Sequence, residues 1–443
     1  MTDKDKGRLG SGRVLRSATK KLGLSEIAKR LKRHVDFQLL DWRARGRRAT
    51  LKDATVIGVT GSCGKSTTTA LIGAILAKIG ACQTYINQGG GGRNTDIRVR
   101  RAMLSLNPAN RYYVYEACTT GPGTIARQLE IVRPQIGVVT NVGTDHRKAF
   151  RTLEATAREK ATLVDVLPPD GMAILNADDP HVAAMTARTK ARVVTYGLSS
   201  SAEIRGSNVD SRWPDRLTLD VSHGNHSIRV ATRLVGDHWA TSVLAAISCG
   251  IGCGLDLAAC AEAVSAVEPV FGRYSVHRKE GGPVFILDSA KASYWTIPSA
   301  LAFLATASAS SKTVVFGTIS DYAGNASRVY RRLARHALAV ADRIVFVGPH
   351  SDHIARLRKQ DVGNRLFSFQ SAHAASAFLS GTHAAEEMIF IKASVNADHL
   401  ERIMLAQCDT VVCWRERCKR SGNCPACAEY RRSSPPPFTS TRG

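Results

Sequence analysis

Apolar residues along this 443-residue chain fall into short continuous runs separated by stretches with helical spacing. Ala54–Val59 is one such run, rich in β-branched residues, and Leu71, Ile72, Ile75, Leu76 and Ile79 follow at helical intervals. Arg111–Ala117 and Ile136–Asn141 read as further buried strands, the first ending in an acid, Glu116. The last third repeats the alternation. Thr313–Gly317, Arg343–Val347 and Met388–Lys392 read as strands, with helices near Ala326–Val340, Ala372–Leu379 and Ala397–Leu405. Strands alternating with helices predict an α/β protein built on mostly parallel, doubly wound sheets. Between residues 201 and 233, the alternating runs Arg216–Val221 and Ser227–Thr232 flank Gly224-Asn225 and predict a hairpin beside the central sheet.

The junction after the first run carries the clearest chemistry. Thr60-Gly61-Ser62-Cys63-Gly64-Lys65-Ser66-Thr67 is a tight loop between a strand and a helix. Backbone N–H groups and the positive end of the helix dipole suit an anion there. Lys65 can reach terminal phosphates, and the Ser66 hydroxyl can ligate Mg²⁺. The loop therefore predicts binding of a nucleoside triphosphate. Its spacing departs from a standard Walker A motif: the first Walker glycine would fall at Val59, whereas the glycines are Gly58, Gly61 and Gly64.

Ligands of an open parallel sheet sit beyond the carboxyl ends of its strands, which gathers Glu116, Asn141 and His146 near the phosphate loop. Ser66 and Glu116 offer Mg²⁺ hard oxygen ligands, and His146 offers a nitrogen. Singly, a strand-end acid reads as a solvated cap and a lone histidine as a surface residue. Together with the G-x-x-G-x-x-G-K-S-T loop and Thr140-Asn141-Val142-Gly143-Thr144-Asp145-His146, they form a pattern that resembles the ATP-dependent Mur ligases and their folylpolyglutamate synthase relatives.

The resemblance runs over residues 52–405, strongest around the loop. It implies a central P-loop ATPase domain with a mostly parallel sheet (51–270) and a C-terminal Rossmann-like domain (271–407). A basic amphipathic arm (1–50) precedes them, and a Cys-rich segment and tail (408–443) follow. The family's helix before Leu167-Pro168 carries a lysine that holds a carbamate in many members; Lys160 is its counterpart here. CO₂ addition would turn that amine into an anionic Mg²⁺ ligand, whereas a solvated surface lysine is the alternative. Gly236-Asp237-His238-Trp239 stands where the family has G-x-H-N near adenine, with Trp239 replacing Asn. Arg273 matches an arginine that approaches the γ-phosphate, and Asp288 a strand-end acid that meets the ribose. The resemblance thus implies nucleotide contacts from Thr60 to Thr67, Asn141, His238, Arg273 and Asp288. It implies catalytic roles for Lys65, Lys160, His146 and Arg273, and Mg²⁺ ligation by Ser66, Glu116, His146 and Lys160. The branch that adds D-alanyl-D-alanine to the cell-wall precursor is nearest in motif. Its Tyr-Asn-Ala-Asn element is replaced here by Ala290-Lys291-Ala292-Ser293-Tyr294-Trp295, so the substrate does not follow from the branch.

The implied activity is amide-bond formation: ATP phosphorylates a carboxylate, and an amine attacks the acyl phosphate. The substrates would be a carboxylate-bearing acceptor, a cell-wall precursor or peptide-like polymer, and an amine donor. The sequence leaves open whether a partner chain supplies the amine, as in some amidating relatives. A nucleic-acid-dependent NTPase with a zinc module, or a degenerate ligase serving as a binding partner, are the alternatives. The first is disfavoured because no helicase or RNA-binding motif accompanies the charge.

Composition changes this picture in two places. The formal charge is +24, and the first 50 residues hold 15 Lys/Arg against 5 Asp/Glu. There Leu24, Ile27, Ala28, Leu31, Val35, Leu39 and Trp42 form one stripe at helical spacing. One reading lays this arm on an anionic membrane in place of the family's nucleotide-sugar-binding domain; the other packs it on the protein's own core. Arginines 93, 98, 100 and 101 around Gly89–Gly92 read as a second basic loop, for an acidic substrate or merely solvated. No apolar signal core or spanning run is present, which predicts a cytoplasmic protein, peripheral at most to the inner membrane face. Finally, the eleven cysteines fit reduced thiols. Cys413-x4-Cys418-x5-Cys424-x2-Cys427 suits a tetrahedral Zn²⁺ site, with an iron–sulfur cluster and unliganded thiols as alternatives.

Overall fold

The computed structural model describes residues 11–87, 95–278, 280–360, 363–416, 418, 420 and 422–431. A long helix, α1 (Ser11–Ala49), precedes two sheets. Strands β1 (Thr55–Thr60), β2 (Cys82–Tyr85), β3 (Tyr112–Glu116), β4 (Ile136–Val139), β5 (Met172–Asn176), β6 (Arg192–Gly197), β7 (Ile204–Asp210), β8 (Thr218–His223) and β9 (His226–Ala231) form the first. Their order is β2-β3-β1-β4-β5-β6-β7-β8-β9. Neighbours are parallel through β7, and β8–β9 closes the edge as the hairpin expected around Gly224. Val59 of β1 lies beside Glu116 of β3, and Thr60 beside Val139 of β4. The loops after these three strands therefore leave from one edge.

Helix α2 (Lys65–Leu76) starts directly at the phosphate loop. Leu71, Ile72, Ile75 and Leu76 are fully buried, which is the stripe the sequence spacing predicts. Helices α3 (Thr95–Leu104), α4 (Thr124–Val132) and α5 (Leu153–Asp165) complete the layers near the site. The second sheet contains β10 (Ser275–Arg278), β11 (Val284–Asp288), β12 (Lys312–Phe316), β13 (Arg343–Val347), β14 (Leu366–Phe369) and β15 (Met388–Lys392). Its order is β10-β11-β15-β12-β13-β14, parallel except at β10–β11. The protein is thus α/β with two mostly parallel sheets, as the periodicity predicts.

The two lobes meet at the site. Asp321 of the second lobe accepts a hydrogen bond from the Arg147 amide of the first (3.3 Å) while pairing with Lys291 at 2.9 Å. Gly143 lies against the Trp295 indole so closely that a Cβ there would fall 2.6 Å from the ring.

Helix α1 divides between the two readings of the arm, its C-terminal part packing on the core through the fully buried Ala44. Its C-terminal end is pinned: Arg48 donates to the carbonyls of Val132 and Arg133 at the end of α4, where a cation opposes the helix dipole. Asp41 binds both Arg45 (2.7 Å) and Arg100 (2.7 Å), and Arg100 also covers the Phe37 ring. Farther up, Leu31, Val35, Leu39 and Trp42 are 51–72% exposed, so these members of the stripe do not pack on the protein's own core. Ala28 is exposed too, while the side chains of Leu24 and Ile27 lie outside the described set. Arg100 is likewise not part of a substrate loop. It is a buried clamp on α3, and Gly89–Gly92 and Arg93 lie outside the described residues.

Candidate active site

The phosphate loop keeps its shape through contacts to the segment after β4. Gly61 (φ 149°) and Gly64 (φ 84°) adopt conformations that favour glycine. A Cβ on Gly61 would lie 1.8 Å from Thr140 Oγ1, and one on Gly64 2.9 Å from Ser242 Oγ. The Cys63 amide donates to Asn141 Oδ1 (2.9 Å), and Thr140 Oγ1 donates to the Cys63 carbonyl (2.6 Å). Ser62 Oγ donates to Asp145 (3.0 Å). Asn141, which also lines the inner cavity described below, and Thr60 both make structural bonds here. Asn141 Oδ1 holds the loop, and Thr60 Oγ1 donates to the Ala117 carbonyl inside the sheet (3.0 Å). Cys63 works through its backbone, which explains why a thiol is tolerated there.

A cleft of about 360 Å³ opens over this loop, walled by Lys65, Ser66, Glu116, His146, Arg273 and Lys291 among others. Lys65 Nζ folds back onto the Gly61 carbonyl (2.8 Å). Ser66 Oγ donates to Glu116 Oε2 (2.9 Å), so the two expected Mg²⁺ ligands already touch. Burial, reinforced by Lys291, pushes His146 down to about 4. Its ring is uncharged at neutral pH and can act as a lone-pair donor.

Lys160 is buried, 1% exposed, which rules out the solvated-surface reading. It stands behind the cleft wall, 3.5 Å from Asp145 Oδ2. Burial pulls its ammonium down to about 8 against the opposing pull of Asp145. Burial alone would raise Asp145, but Lys160, Lys65 and Lys291 outweigh it and hold the carboxyl below its usual range. Sequence reasoning had Asp145 only as part of a motif and missed Lys291. Asp145 becomes visible through its contacts to Ser62 and Lys160, and Lys291 only when the second lobe is placed against the first.

Behind the loop lies a second cavity, about 220 Å³, reached past Gly64 and Arg273. His238, Trp239, Tyr274, Asp288, Trp295 and Lys392 line it. The His238 ring packs on Trp239 and Tyr274 with centroids 4.7 and 4.5 Å away. Burial lowers His238 to about 4. Asp288 is paired with Lys392. His238 Nδ1, Trp239 Nε1 and Trp295 Nε1 are buried without hydrogen-bond partners, an expensive arrangement unless a polar ligand meets them. An aromatic, polar-edged ligand such as a purine base fits this lining. Trp239, which departs from the expected Asn, is one of its walls.

Cys413, Cys418, Cys424 and Cys427 lie apart from both cavities and share a cavity of their own. The convergent donor group among the described residues differs from the four-cysteine expectation: it is His399, Glu401 and Cys424.

Comparison with known proteins agrees with this geometry. Residues 59–250 match the Mur ligase middle domain model. A UDP-N-acetylmuramoyl-tripeptide–D-alanyl-D-alanine ligase of Mycobacterium tuberculosis H37Rv is 34% identical over 238 residues, 53% of this chain and 46% of that protein. The Escherichia coli K12 enzyme of the same name is 26% identical over 68% of this chain and 66% of its own length. The chain thus spans about half the length of the first of these curated relatives. Among solved structures, MurF ligase from Thermotoga maritima in complex with ADP superposes with TM-score 0.71 at 19% identity, covering 83% of this chain and 82% of that one. MurF from Acinetobacter baumannii gives 0.74 at 21% identity, covering 84% and 80%.

Gly61→Ala is expected to weaken nucleotide binding at least about tenfold, because the new methyl group displaces Thr140 from the loop. Titration with a fluorescent ATP analogue checks this, with circular dichroism as the folding control. Unchanged affinity would show that the loop does not shape the ligand site.

Proposed function

We propose that this chain, whose residues 59–250 match the Mur ligase middle domain model, is an ATP-dependent ligase joining a carboxylate to an amine. The observation that carries the reading is the pairing of two cavities across one phosphate loop. The inner cavity offers an aromatic wall and unpartnered polar edges to a base, and Asp288 in its lining is the residue proposed to meet the ribose. The outer cleft offers cations and oxygen ligands beyond it.

In this reading the acceptor's carboxylate oxygen attacks the γ-phosphorus of ATP and ADP departs. The amine then attacks the acyl carbon, phosphate leaves with the C–O bond electrons, and the nitrogen loses a proton. Lys65, Arg273 and Lys291 offset charge on the transferring phosphoryl group. Ser66, Glu116 and His146 are the residues that would hold Mg²⁺, which supplies Lewis-acid charge to the phosphates. Contacts between the lobes, through Asp321 and through Gly143 on Trp295, keep water from the acyl phosphate. The relatives' printed names point to a muramoyl-peptide acceptor and D-alanyl-D-alanine. Lys291 and Ser293 stand where that branch carries a different element, so the acceptor class is left at cell-wall precursor or peptide-like polymer.

ADP release by the purified protein with Mg²⁺-ATP tests the reading. The panel contains cell-wall precursors, poly-amino acids and free amino acids, with nucleic acid as control. Stimulation is expected only from a carboxylate–amine pair and is expected to fall at least about 100-fold in Lys65→Ala. Stimulation by nucleic acid alone would sink the ligase reading.

Lys160 is proposed to carry the carbamate. Only a neutral amine adds CO₂, and a pKa of about 8 keeps a sizeable neutral fraction near physiological pH. The resulting anion would face Asp145, so a cation between them is required. Activity in CO₂-stripped buffer is expected to recover on adding bicarbonate, with recovery rising as pH passes about 8. Indifference to bicarbonate at every pH would remove the carbamate.

The exposed Leu31, Val35, Leu39 and Trp42 face, flanked by Lys29, Lys32 and Arg33, supports placement of α1 on an anionic membrane. No described helix is long and apolar enough to cross one. Removal of residues 1–40 is expected to abolish sedimentation with phosphatidylglycerol vesicles while activity on a soluble acceptor persists. Equal sedimentation of both forms refutes the placement.

A further inference from the structure

The third cavity, about 420 Å³, sits where the C-terminal segment folds over the helix Glu401–Cys408. Cys413, Cys418, Cys424 and Cys427 wall it, together with His399 and Arg402. His399 and Glu401 are almost completely buried. His399 Nδ1 lies 3.1 Å from Glu401 Oε1 and 3.6 Å from Cys424 Sγ, and the three donor atoms lie within 4.8 Å of one another.

The ring's other nitrogen decides what this cluster wants. His399 Nε2 is 3.3 Å from the Arg420 carbonyl oxygen, which can only accept, so Nε2 carries a hydrogen. In the neutral ring, Nδ1 then turns its lone pair toward a carboxylate oxygen and a sulfur. Three such donors converging in a buried place need a positive centre among them. A second proton on the ring would answer the carboxylate. It would not account for four thiols gathered on the same wall, nor for Glu401 Oε2, which is buried without a hydrogen-bond partner. The Cys427 sulfur is also supplied with donors: the amides of Tyr430 and Glu429, and Arg420 Nη1 at 3.8 Å. Arg402 donates to the carbonyls of Cys413 and Arg415, tying the segment to the helix before any metal is considered.

We propose that this cavity is a zinc site in which His399 Nδ1 and Cys424 Sγ are two of the ligands. Two of the three thiolates on the Cys413, Cys418 and Cys427 wall complete a tetrahedron, the mixed nitrogen–sulfur set that Zn²⁺ favours. Glu401 accepts the Cys424 amide (3.0 Å) and orients the ligand loop. The spacing of cysteines alone points to an all-sulfur site. The fold instead brings in a histidine 25 residues upstream of Cys424 and so ties the tail to the second lobe. Asn423, adjacent to Cys424, also lines the cleft that contains Lys65, so the metal fixes a residue at the edge of the ligand site.

Metal analysis of the purified full-length chain is expected to find one zinc per chain, released when an organomercurial titrates the thiols. Absence of zinc after growth with zinc supplied, or iron in its place, would falsify the proposal. His399→Asn and Cys424→Ser are each expected to lose the metal; retention in both overturns the ligand assignment. Should these variants fail to fold, the cobalt-substituted wild-type chain decides. The visible spectrum of a tetrahedral site with mixed nitrogen and sulfur ligands is expected, and an all-sulfur or octahedral spectrum overturns the assignment.

Discussion

Everything at the candidate site hangs on a buried polar chain that joins the phosphate loop to the segment after β4. Ser62 binds Asp145, Asp145 faces Lys160, and the backbone of Cys63 is held from both sides by Asn141 and Thr140. A lysine buried to this degree costs several kcal/mol unless a charge answers it. Asp145 supplies that charge and is simultaneously committed to the loop. The loop's shape and the lysine's protonation are therefore coupled: a change in one redistributes the demands on the other. No single member of the chain is only structural or only chemical.

The phosphate loop and its helix were legible in the sequence because they are local. A β-branched run, glycines at fixed offsets and a helical stripe each act over a few residues. The two-sheet alternation was legible for the same reason. What the sequence hid were relations between distant segments. Lys291 reads as an ordinary surface lysine until β11 is placed opposite β1, where it faces His146 and Asp145. Trp239 reads as a lost adenine contact until Tyr274 and His238 are seen packed against it. Arg100 reads as part of a basic loop, but Asp41, 59 residues earlier, takes it into a clamp. In the C-terminal segment, counting cysteines located the thiols that share a cavity but not His399 beside Cys424, because nothing about a lone histidine before a helix announces a thiol partner.

The distribution of charge divides the molecule into regions with different tasks. Cations at the site are held against carboxylates or aimed into the cleft, and Arg45 and Arg48 pin the end of α1, whereas Lys29, Lys32 and Arg33 are exposed beside an apolar face. The overall +24 thus combines two populations, and its size alone says little about the ligand. At the far end, Asn423 lines both the cysteine-walled cavity and the cleft over the phosphate loop.

The contact between Gly143 and Trp295 has an optical consequence. An indole whose Nε1 is buried without a partner, and whose ring rests on bare backbone of the opposite lobe, is sensitive to any change in the gap between them. The chain contains five tryptophans, and this one straddles the seam. Its emission is expected to shift to the red as the lobes separate and water reaches the ring, and to return as they close. The indole is therefore a built-in optical reporter of the gap between the lobes, one that needs no attached dye.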